Sequence, residues 1–370
     1  MSKNDIVTPA DSESPSIAAN DSIHTVRLLT QTGAFLQLSR QQAARFAKPL
    51  TFLLNNGTKV KIPYPGVIEF EPASPNSEKD VIYSCGVHGN ETAPIEICDE
   101  LVQVLLQEKL VVIHRLLVIF GNLPAMDLAQ RFVQENMNRL FDGEHANPKV
   151  MSNAERIRAG ELEAAVQQFF EPAQTSNNTA KRERHHYDLH TAIRDSKNEK
   201  FAVYPFKPDQ PHDTEQLRFL GACGVNTVLL SGAPTGTFSY HSAKHFNACA
   251  FTVELGKVKP FGENDMSHFS EAKNTIIHFV TDPTYSLPEY HSFNYLVYKI
   301  NQVINKQKED FSLSFDDNTP NFTDFKCGDV LAKESGVEYV AQVDGEAIVF
   351  PNAHVALGQR ALLTVVQTII

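Results

Sequence analysis

Strand-like runs alternate with helical stretches through the middle of this 370-residue chain, and this alternation constrains its fold more than any other feature. The runs predicted to be strands are VIYSC (81–85), RLLVIFGN (115–122), HYDLH (186–190), FAVYP (201–205), NTVLLS (226–231) and ACAFTVEL (248–255). Helices are predicted at 92–110, 152–170, 213–222 and 263–280, the second starting with a capping box of Ser152 and Glu155. The pattern predicts an α/β domain with a mixed, mostly parallel sheet and flanking helices.

Both ends of the chain differ from this middle part. Residues 1–22 are polar and rich in Ser and Asp, which predicts a flexible extension. A hairpin turn is expected at 55–57, where Asn-Asn-Gly separates two apolar runs. After Pro288 a predicted helix (293–307) leads into short strands and turns at 323–370. We therefore expect the extension (1–22), a larger α/β domain (23–287) and a smaller β-rich C-terminal domain (288–370).

Composition excludes several classes of partner. The formal net charge is -11 and no basic stripe is present, which argues against nucleic acid. No window approaches the roughly 20 apolar residues that cross a bilayer, so no membrane partner is expected. The five cysteines form no CxxC pair and four lie in apolar runs, as reduced thiols do. With no signal peptide visible, we expect a cytoplasmic protein. The sequence leaves open whether it forms a homo-oligomer.

GVHGNE (86–91) follows the first of the central strands and carries two metal-type ligands. His88 and Glu91 are three residues apart on a turn that enters a helix, so their side chains point to one place. Gly86 and Gly89 allow the tight turn and close backbone approach that a metal site at a strand end needs. A catalytic zinc site uses three N or O ligands and an open position, so a third ligand is required.

The third ligand is expected from another strand end. His190 closes the run YDLH, and Asp188 points to the same face because side chains alternate along a strand. Asp188 could hold the second ring nitrogen of either His190 or His88. His186 shares that face but lies earlier on the strand, so we place it below His190 as a ligand.

Catalysis would also need a base and groups that bind negative charge. Glu254 lies near the end of the very apolar strand FTVELGK, where a carboxylate is costly unless it is paired or functional. Asn138 and Arg139 form an adjacent amide–guanidinium pair that is suited to binding a substrate carboxylate through two hydrogen bonds. Arg131, eight residues earlier, could stabilise an oxyanion.

Four ordered motifs resemble a known superfamily. GVHGNE, the Asn138-Arg139 pair, DLHTAIR (188–194) and TVELGK (252–257) resemble the zinc carboxypeptidases, and most closely their aspartoacylase and succinylglutamate desuccinylase branch. The resemblance implies a zinc-carboxypeptidase-like α/β domain with an appended β-rich domain. It also implies one zinc ion per chain, held by His88, Glu91 and His190, with Glu254 as general base.

The resemblance implies a small anionic substrate. GVHGNETAPIEI, GNLPAM and DLHTAIR favour hydrolysis of N-succinyl-L-glutamate to succinate and L-glutamate, the last step of arginine breakdown by the succinyltransferase route. An aspartoacylase-like deacylase of another N-acyl amino acid is the main alternative, and a metallocarboxypeptidase is a weaker one.

One position departs from the branch pattern. Aspartoacylases carry an arginine about ten residues before the catalytic glutamate, whereas this chain has Lys244 there. Lysine is a point charge and lacks the planar guanidinium of arginine, so the distal carboxylate of the substrate must be bound differently. Arg194 is our candidate to bind that carboxylate, and Lys244 is the other candidate. A tyrosine often closes such sites, and the sequence does not choose among Tyr285, Tyr290, Tyr295 and Tyr298.

Overall fold

The computed structural model describes residues 15–74, 78–171, 182–208 and 211–370. Most of the predicted N-terminal extension, residues 1–14, lies outside the described residues, and its last part belongs to the first helix. The α-helices are α1 (Pro15–Thr32), α2 (Phe35–Gln41), α3 (Thr92–Leu106), α4 (Leu123–Asp127), α5 (Ala154–Phe170), α6 (Leu217–Ala222), α7 (Phe238–Phe246) and α8 (Ser270–Thr281). Short 3-10 helices cover Ala43–Phe46, Met137–Arg139, Glu144–Ala146, Thr214–Gln216, Met266–Phe269 and Ser292–Asn294.

Strands form a long mixed sheet and a small separate one. They are β1 (Leu50–Leu53), β2 (Lys59–Tyr64), β3 (Val67–Glu71), β4 (Lys79–Cys85), β5 (Arg115–Phe120), β6 (Glu183–Ala192), β7 (Phe201–Tyr204), β8 (Thr227–Leu230), β9 (Cys249–Lys257), β10 (Leu296–Asn305), β11 (Ser312–Leu313), β12 (Thr323–Phe325), β13 (Val330–Glu334), β14 (Val337–Val340), β15 (Glu346–Val349) and β16 (Arg360–Thr368). The six predicted central strands are present as β4 to β9, and the predicted hairpin turn joins β1 to β2.

The centre of the long sheet is mostly parallel. Its strand order is β1-β2-β3-β5-β4-β6-β9-β7-β8-β10-β16-β15-β12. From β5 to β10 in this order, only the β9–β7 pair is antiparallel. Helices cover both faces: α3, α6 and α8 pack with one buried cluster, and α5 and α7 with the other. This is the mixed α/β architecture that the alternation predicts.

The prediction of a helix at 293–307 is wrong, because this stretch forms strand β10. Val297, Ile300 and Ile304 are spaced as on one face of a helix, which is why the sequence favours that reading. In the structure β10 pairs in parallel with β8 and antiparallel with β16, and these two neighbours supply its hydrogen bonds. The long sheet therefore continues from the α/β part into the β-rich C-terminal part.

The cysteines agree with the expectation of reduced, mostly buried thiols. All five cysteines are free, and only Cys327 is exposed. Among the described residues, none of the helices combines the length and the apolar character that a membrane span requires.

The predicted capping box at the start of α5 is also wrong, because Asn153 takes the N-cap position. Its side-chain oxygen accepts a hydrogen bond from the Arg156 N–H at 2.9 Å. Glu155 turns away from the helix start and is only 3% exposed. Its carboxylate accepts backbone N–H bonds from the consecutive residues 133, 134 and 135, at 2.6–2.8 Å, and a side-chain bond from Asn122. Glu155 thereby shapes the segment that follows α4.

This arrangement predicts that Glu155→Gln destabilises the protein although the substitution barely changes the volume. An amide offers one acceptor oxygen where the carboxylate offers two, and it directs an NH₂ group at backbone donors. We expect the free energy of unfolding, measured by urea denaturation, to fall by about 1.5–3 kcal/mol. Ser152→Ala is the matched control, expected to change it by less than about 0.5 kcal/mol, since Asn153 is the cap. Equal effects of the two substitutions would contradict this view.

Candidate active site

The carboxyl ends of the neighbouring parallel strands β4, β6 and β9 carry the candidate site. His190 lies near the end of β6, directly opposite Glu254 on β9. His88 and Glu91 lie in the turn between β4 and α3, and Glu91 occupies the N-cap position of α3. Because parallel strands end at the same edge of a sheet, the structure brings these four side chains together.

The two glycines of this turn are required by close packing. Gly86 has φ of +63°, and a side chain on it would overlap Met126. A Cβ on Gly89 would lie 2.2 Å from the carbonyl carbon of Ala125. The close approach expected from the sequence is therefore made to helix α4.

His88, Glu91 and His190 converge through the Nδ1 atoms of the two histidines. Nδ1 of His88 lies 2.9 Å from Glu91 Oε1, and Nδ1 of His190 lies 2.7 Å from Glu91 Oε2. The three side chains are at most 3% exposed. One ligand atom from each lies within 4.8 Å of the others, which is a spacing that a metal ion could bridge.

Partners on the far side of each ring fix the tautomers. Nε2 of His190 donates to Asp188 Oδ2 at 2.8 Å, and Ser84 donates to the other carboxylate oxygen at 2.6 Å. Nε2 of His88 donates to Asn136 Oδ1 at 2.9 Å, an atom that also accepts the backbone N–H of Asn138. With Nε2 protonated, each ring in its neutral, ligating form directs the Nδ1 lone pair at Glu91.

This donor set fits a divalent metal ion. Two lone pairs that face a carboxylate repel it unless a positive charge lies among them, and Nδ1 of His88 makes no hydrogen bond. The pKa values express the same demand for positive charge, which a proton on His190 meets when no metal is bound. Although burial opposes both shifts, the histidines hold the pKa of Glu91 well below its usual range, and Asp188 and Glu91 raise that of His190. Burial lowers the pKa of His88, which favours its neutral, ligating form. Two imidazoles and a carboxylate are typical of a catalytic zinc site.

Glu254 has the properties of a proton acceptor. Its side chain is half-buried, and its Oε2 atom is buried without a hydrogen-bond partner. Burial, followed by the negative charge of Glu91, raises its pKa to about 7. A carboxyl group with such a pKa can take and return a proton near neutral pH.

The segment after α4 brings Arg131 to the metal-type ligands and Arg139 close by. Arg131 donates to Glu91 Oε1 at 2.7 Å and remains about one-third exposed. Asn138 is buried: its Oδ1 accepts the Phe238 N–H at 3.0 Å, and its Nδ2 lies 3.3 Å from Nε2 of His190. Arg139 reaches solvent and donates to the Asn138 carbonyl.

Arg194 and Lys244 lie outside this group. Arg194 donates to backbone carbonyls of the C-terminal part, at Thr319 and Pro351, so it ties the two parts of the chain together. Lys244 is about half exposed on α7, where both oxygens of Asp142 accept from its ammonium at 2.9 Å.

Other sequence candidates also have partners elsewhere. His186 is fully buried, with a serine hydroxyl at 2.8 Å and another at 2.7 Å. Tyr285, Tyr295 and Tyr298 use their hydroxyls in hydrogen bonds with Thr275, the Leu217 carbonyl and Gln367, respectively.

Arg360, at the start of β16, is a cation that no sequence motif marks. Its guanidinium carbon lies 5.7 Å from the ring centre of Phe350, whose ring lies 5.8 Å from that of Phe201. Phe201 stands opposite Glu254 in the β7–β9 pair, so these rings lie beside the strand that carries the candidate base. Nε of Arg360 is buried without a hydrogen-bond partner, and within the described ranges no acidic side chain pairs with this guanidinium. Burial lowers its pKa.

Comparison with known proteins identifies the family. Residues 77–280 match the succinylglutamate desuccinylase/aspartoacylase catalytic domain, and residues 293–368 match the AstE/AspA barrel-sandwich hybrid domain. The chain belongs to this family. It is therefore a hydrolase, and the β-rich C-terminal part corresponds to the hybrid domain.

Individual relatives support the assignment over nearly the whole chain. The succinylglutamate desuccinylase of Pseudoalteromonas atlantica is 53% identical over 92% of this chain and 96% of its own length. That of Idiomarina loihiensis is 50% identical over 90% and 95%. The crystal structure of the succinylglutamate desuccinylase from Chromobacterium violaceum shares 36% identity over 90% of this chain and 97% of that one, with a TM-score of 0.78.

Sequence reasoning misses Asn136, whose hydrogen bond with His88 predicts the effect of its substitution on metal binding. Asn136→Ala removes the acceptor that orients the His88 ring, so the affinity for a divalent ion should fall about 10- to 100-fold. Competition with a chromophoric chelator measures this affinity. Gln134→Ala, at an exposed position two residues away, is the control and should leave it unchanged. Unchanged affinity in Asn136→Ala would mean that the His88 ring is oriented by other contacts.

Proposed function

We propose that this enzyme hydrolyses the amide bond of N-succinyl-L-glutamate to succinate and L-glutamate, using one zinc ion per chain held by His88, Glu91 and His190. The observation that best supports this choice of substrate is the 53% identity, over 92% of the chain, to a protein named succinylglutamate desuccinylase. The reaction is the last step of arginine catabolism by the succinyltransferase pathway. The free, mostly buried thiols support a cytoplasmic setting.

The three ligands would hold zinc at the place where the amide must be polarised. When bound, zinc lowers the pKa of a coordinated water from 15.7 to about 7 and polarises the scissile carbonyl. Asp188 and Asn136 hold the two ligand rings so that Nδ1 of each remains available.

Glu254 moves the proton in this mechanism. Its unpartnered Oε2 takes a proton from the attacking water and passes it to the amide nitrogen as the C–N bond breaks, which releases glutamate as an amine. The half-buried position lets the carboxyl group reach the substrate while its raised pKa keeps the proton transferable.

Arg131 stabilises the charge that develops on the carbonyl oxygen. Its guanidinium, 2.7 Å from Glu91, is held at the edge of the ligand group and is still partly open to a substrate. A preorganised cation at this place costs no rearrangement when the tetrahedral intermediate forms.

Arg139 and Arg360 are assigned to substrate carboxylates. N-Succinylglutamate has three carboxylates, and in the described part of the chain neither guanidinium is paired with an acidic side chain. Although the Arg139 side chain reaches solvent, partial desolvation by the surrounding protein, followed by the positive charges of Arg360 and Arg131, lowers its pKa to about 10. A cluster of like charges without counterions is unfavourable until an anion binds. Asn138 positions Arg139 by fixing the backbone of the segment that contains both residues.

The role of Glu254 predicts the behaviour of Glu254→Gln. The amide keeps the shape of the side chain but cannot accept the proton, so kcat should fall about 10²- to 10⁴-fold. Zinc content, measured by metal analysis, should stay at that of the wild type, because Glu254 is not a ligand. Activity within about threefold of wild type would place the base elsewhere.

The role of Arg360 predicts a change in acyl-chain selectivity. N-Acetylglutamate lacks the succinyl carboxylate and leaves a cation unpaired, so the wild type should favour N-succinylglutamate at least about tenfold in kcat/KM. Arg360→Ala should narrow this ratio. Arg194→Ala is the control: it should lower stability and leave the ratio unchanged. Equal kcat/KM values of the wild type on the two substrates would instead support an aspartoacylase-like deacylase, and a narrowed ratio in Arg194→Ala alone would return the role to Arg194.

A further inference from the structure

A second group of metal-type ligands lies on helix α7, apart from the catalytic ligands. His241 and His245 are four residues apart on one face of α7, and Asp142 lies in the neighbouring loop. One ligand atom from each of the three lies within 4.8 Å of the others. Nε2 of His245 is 2.7 Å from Asp142 Oδ1, and the two imidazole centres are 4.8 Å apart.

Two further side chains surround this group. Glu163, on α5, has Oε1 3.5 Å from Nδ1 of His241 and Oε2 3.6 Å from Nδ1 of His145. The group therefore connects α5, α7 and the loop that contains Asp142.

His241 is the unusual member. It is only 7% exposed, yet neither of its ring nitrogens makes a hydrogen bond. Buried polar groups almost always have partners, so a buried imidazole with none requires an explanation. A cation on one nitrogen, with the other turned to Glu163, would satisfy both and would give the carboxylate–histidine–metal arrangement common in proteins.

We propose that Asp142, His241 and His245 form a second site for a divalent transition-metal ion such as zinc, in addition to the catalytic one. Two imidazoles and a carboxylate suit zinc and its neighbours better than magnesium or calcium, which prefer oxygen ligands. The ion would brace α7 against the loop at Asp142. Phe141, in the same loop, already stacks on Phe238 at the start of α7, with ring centres 4.1 Å apart.

Lys244 sets the strength of this site. Its ammonium pairs with both oxygens of Asp142, so the incoming ion must displace it. The side chain is 47% exposed and can move into solvent. The second site should therefore bind more weakly than the catalytic site, and removal of the lysine charge should strengthen it.

The test is a zinc titration of the full-length protein after chelator treatment, with bound metal measured by elemental analysis. The wild type should take up about two ions per chain. His245→Gln should take up one and keep its activity, because His245 is outside the catalytic group. His88→Ala should also take up one, and in it the second site should remain. His278→Gln, which removes an exposed histidine on α8, is the matched control and should take up two.

Lys244→Gln gives a result of opposite sign, which a purely structural role for the cluster would not produce. Loss of the competing exposed ion pair should tighten the second site about two- to fivefold. His241→Gln should weaken it at least about tenfold, and thermal unfolding reports whether that buried variant folds. In tenfold zinc excess, uptake of one ion by the wild type with none by a folded His88→Ala, or of two by a folded His245→Gln, would overturn the proposal.

Discussion

The Glu91 carboxylate, faced by Nδ1 atoms of two histidines, is the contact on which the active site depends. Its two oxygens lie 2.7–2.9 Å from the Nδ1 atoms of the two rings, each of which binds an outer hydrogen-bond acceptor through Nε2. Such an arrangement is favourable only with a positive charge inside it. The ends of β4 and β6 and the start of α3 must meet here, and Gly86 and Gly89 permit this because helix α4 packs directly against them.

A second buried carboxylate organises the groups that surround this centre. Glu155 binds three consecutive backbone N–H groups and so fixes the segment that carries Arg131, Asn136 and Arg139. Asn136 orients the His88 ring, and Arg131 contacts Glu91. Arg139 is paired with no acidic side chain of the described residues. The C-terminal part contributes Arg360 through β16, which joins the same sheet through β10. The proposed catalytic and substrate-binding groups thus share one continuous framework.

The sequence predicts the central strands and the convergence at their ends well, because buried parallel strands are short apolar runs with functional residues just after them. Sequence reasoning fails where the structure or contacts of a residue depend on neighbours that are distant in the sequence. Strand β10 has helical spacing and becomes a strand because β8 and β16 flank it. Arg194 and Lys244 lie near the right motifs, yet their long side chains reach other partners. Asn136 and Arg360 are recognisable only once the chain is folded.

The proposed chemistry requires a metal ion between the two Nδ1 atoms and Glu91. A crystal structure of the zinc-loaded protein, with anomalous data on both sides of the zinc edge, tests it most directly. We expect a peak about 2.0–2.2 Å from Nδ1 of His88, Nδ1 of His190 and a carboxylate oxygen of Glu91. Coordination through Nε2 of either histidine, or no zinc peak among these three residues, would contradict it.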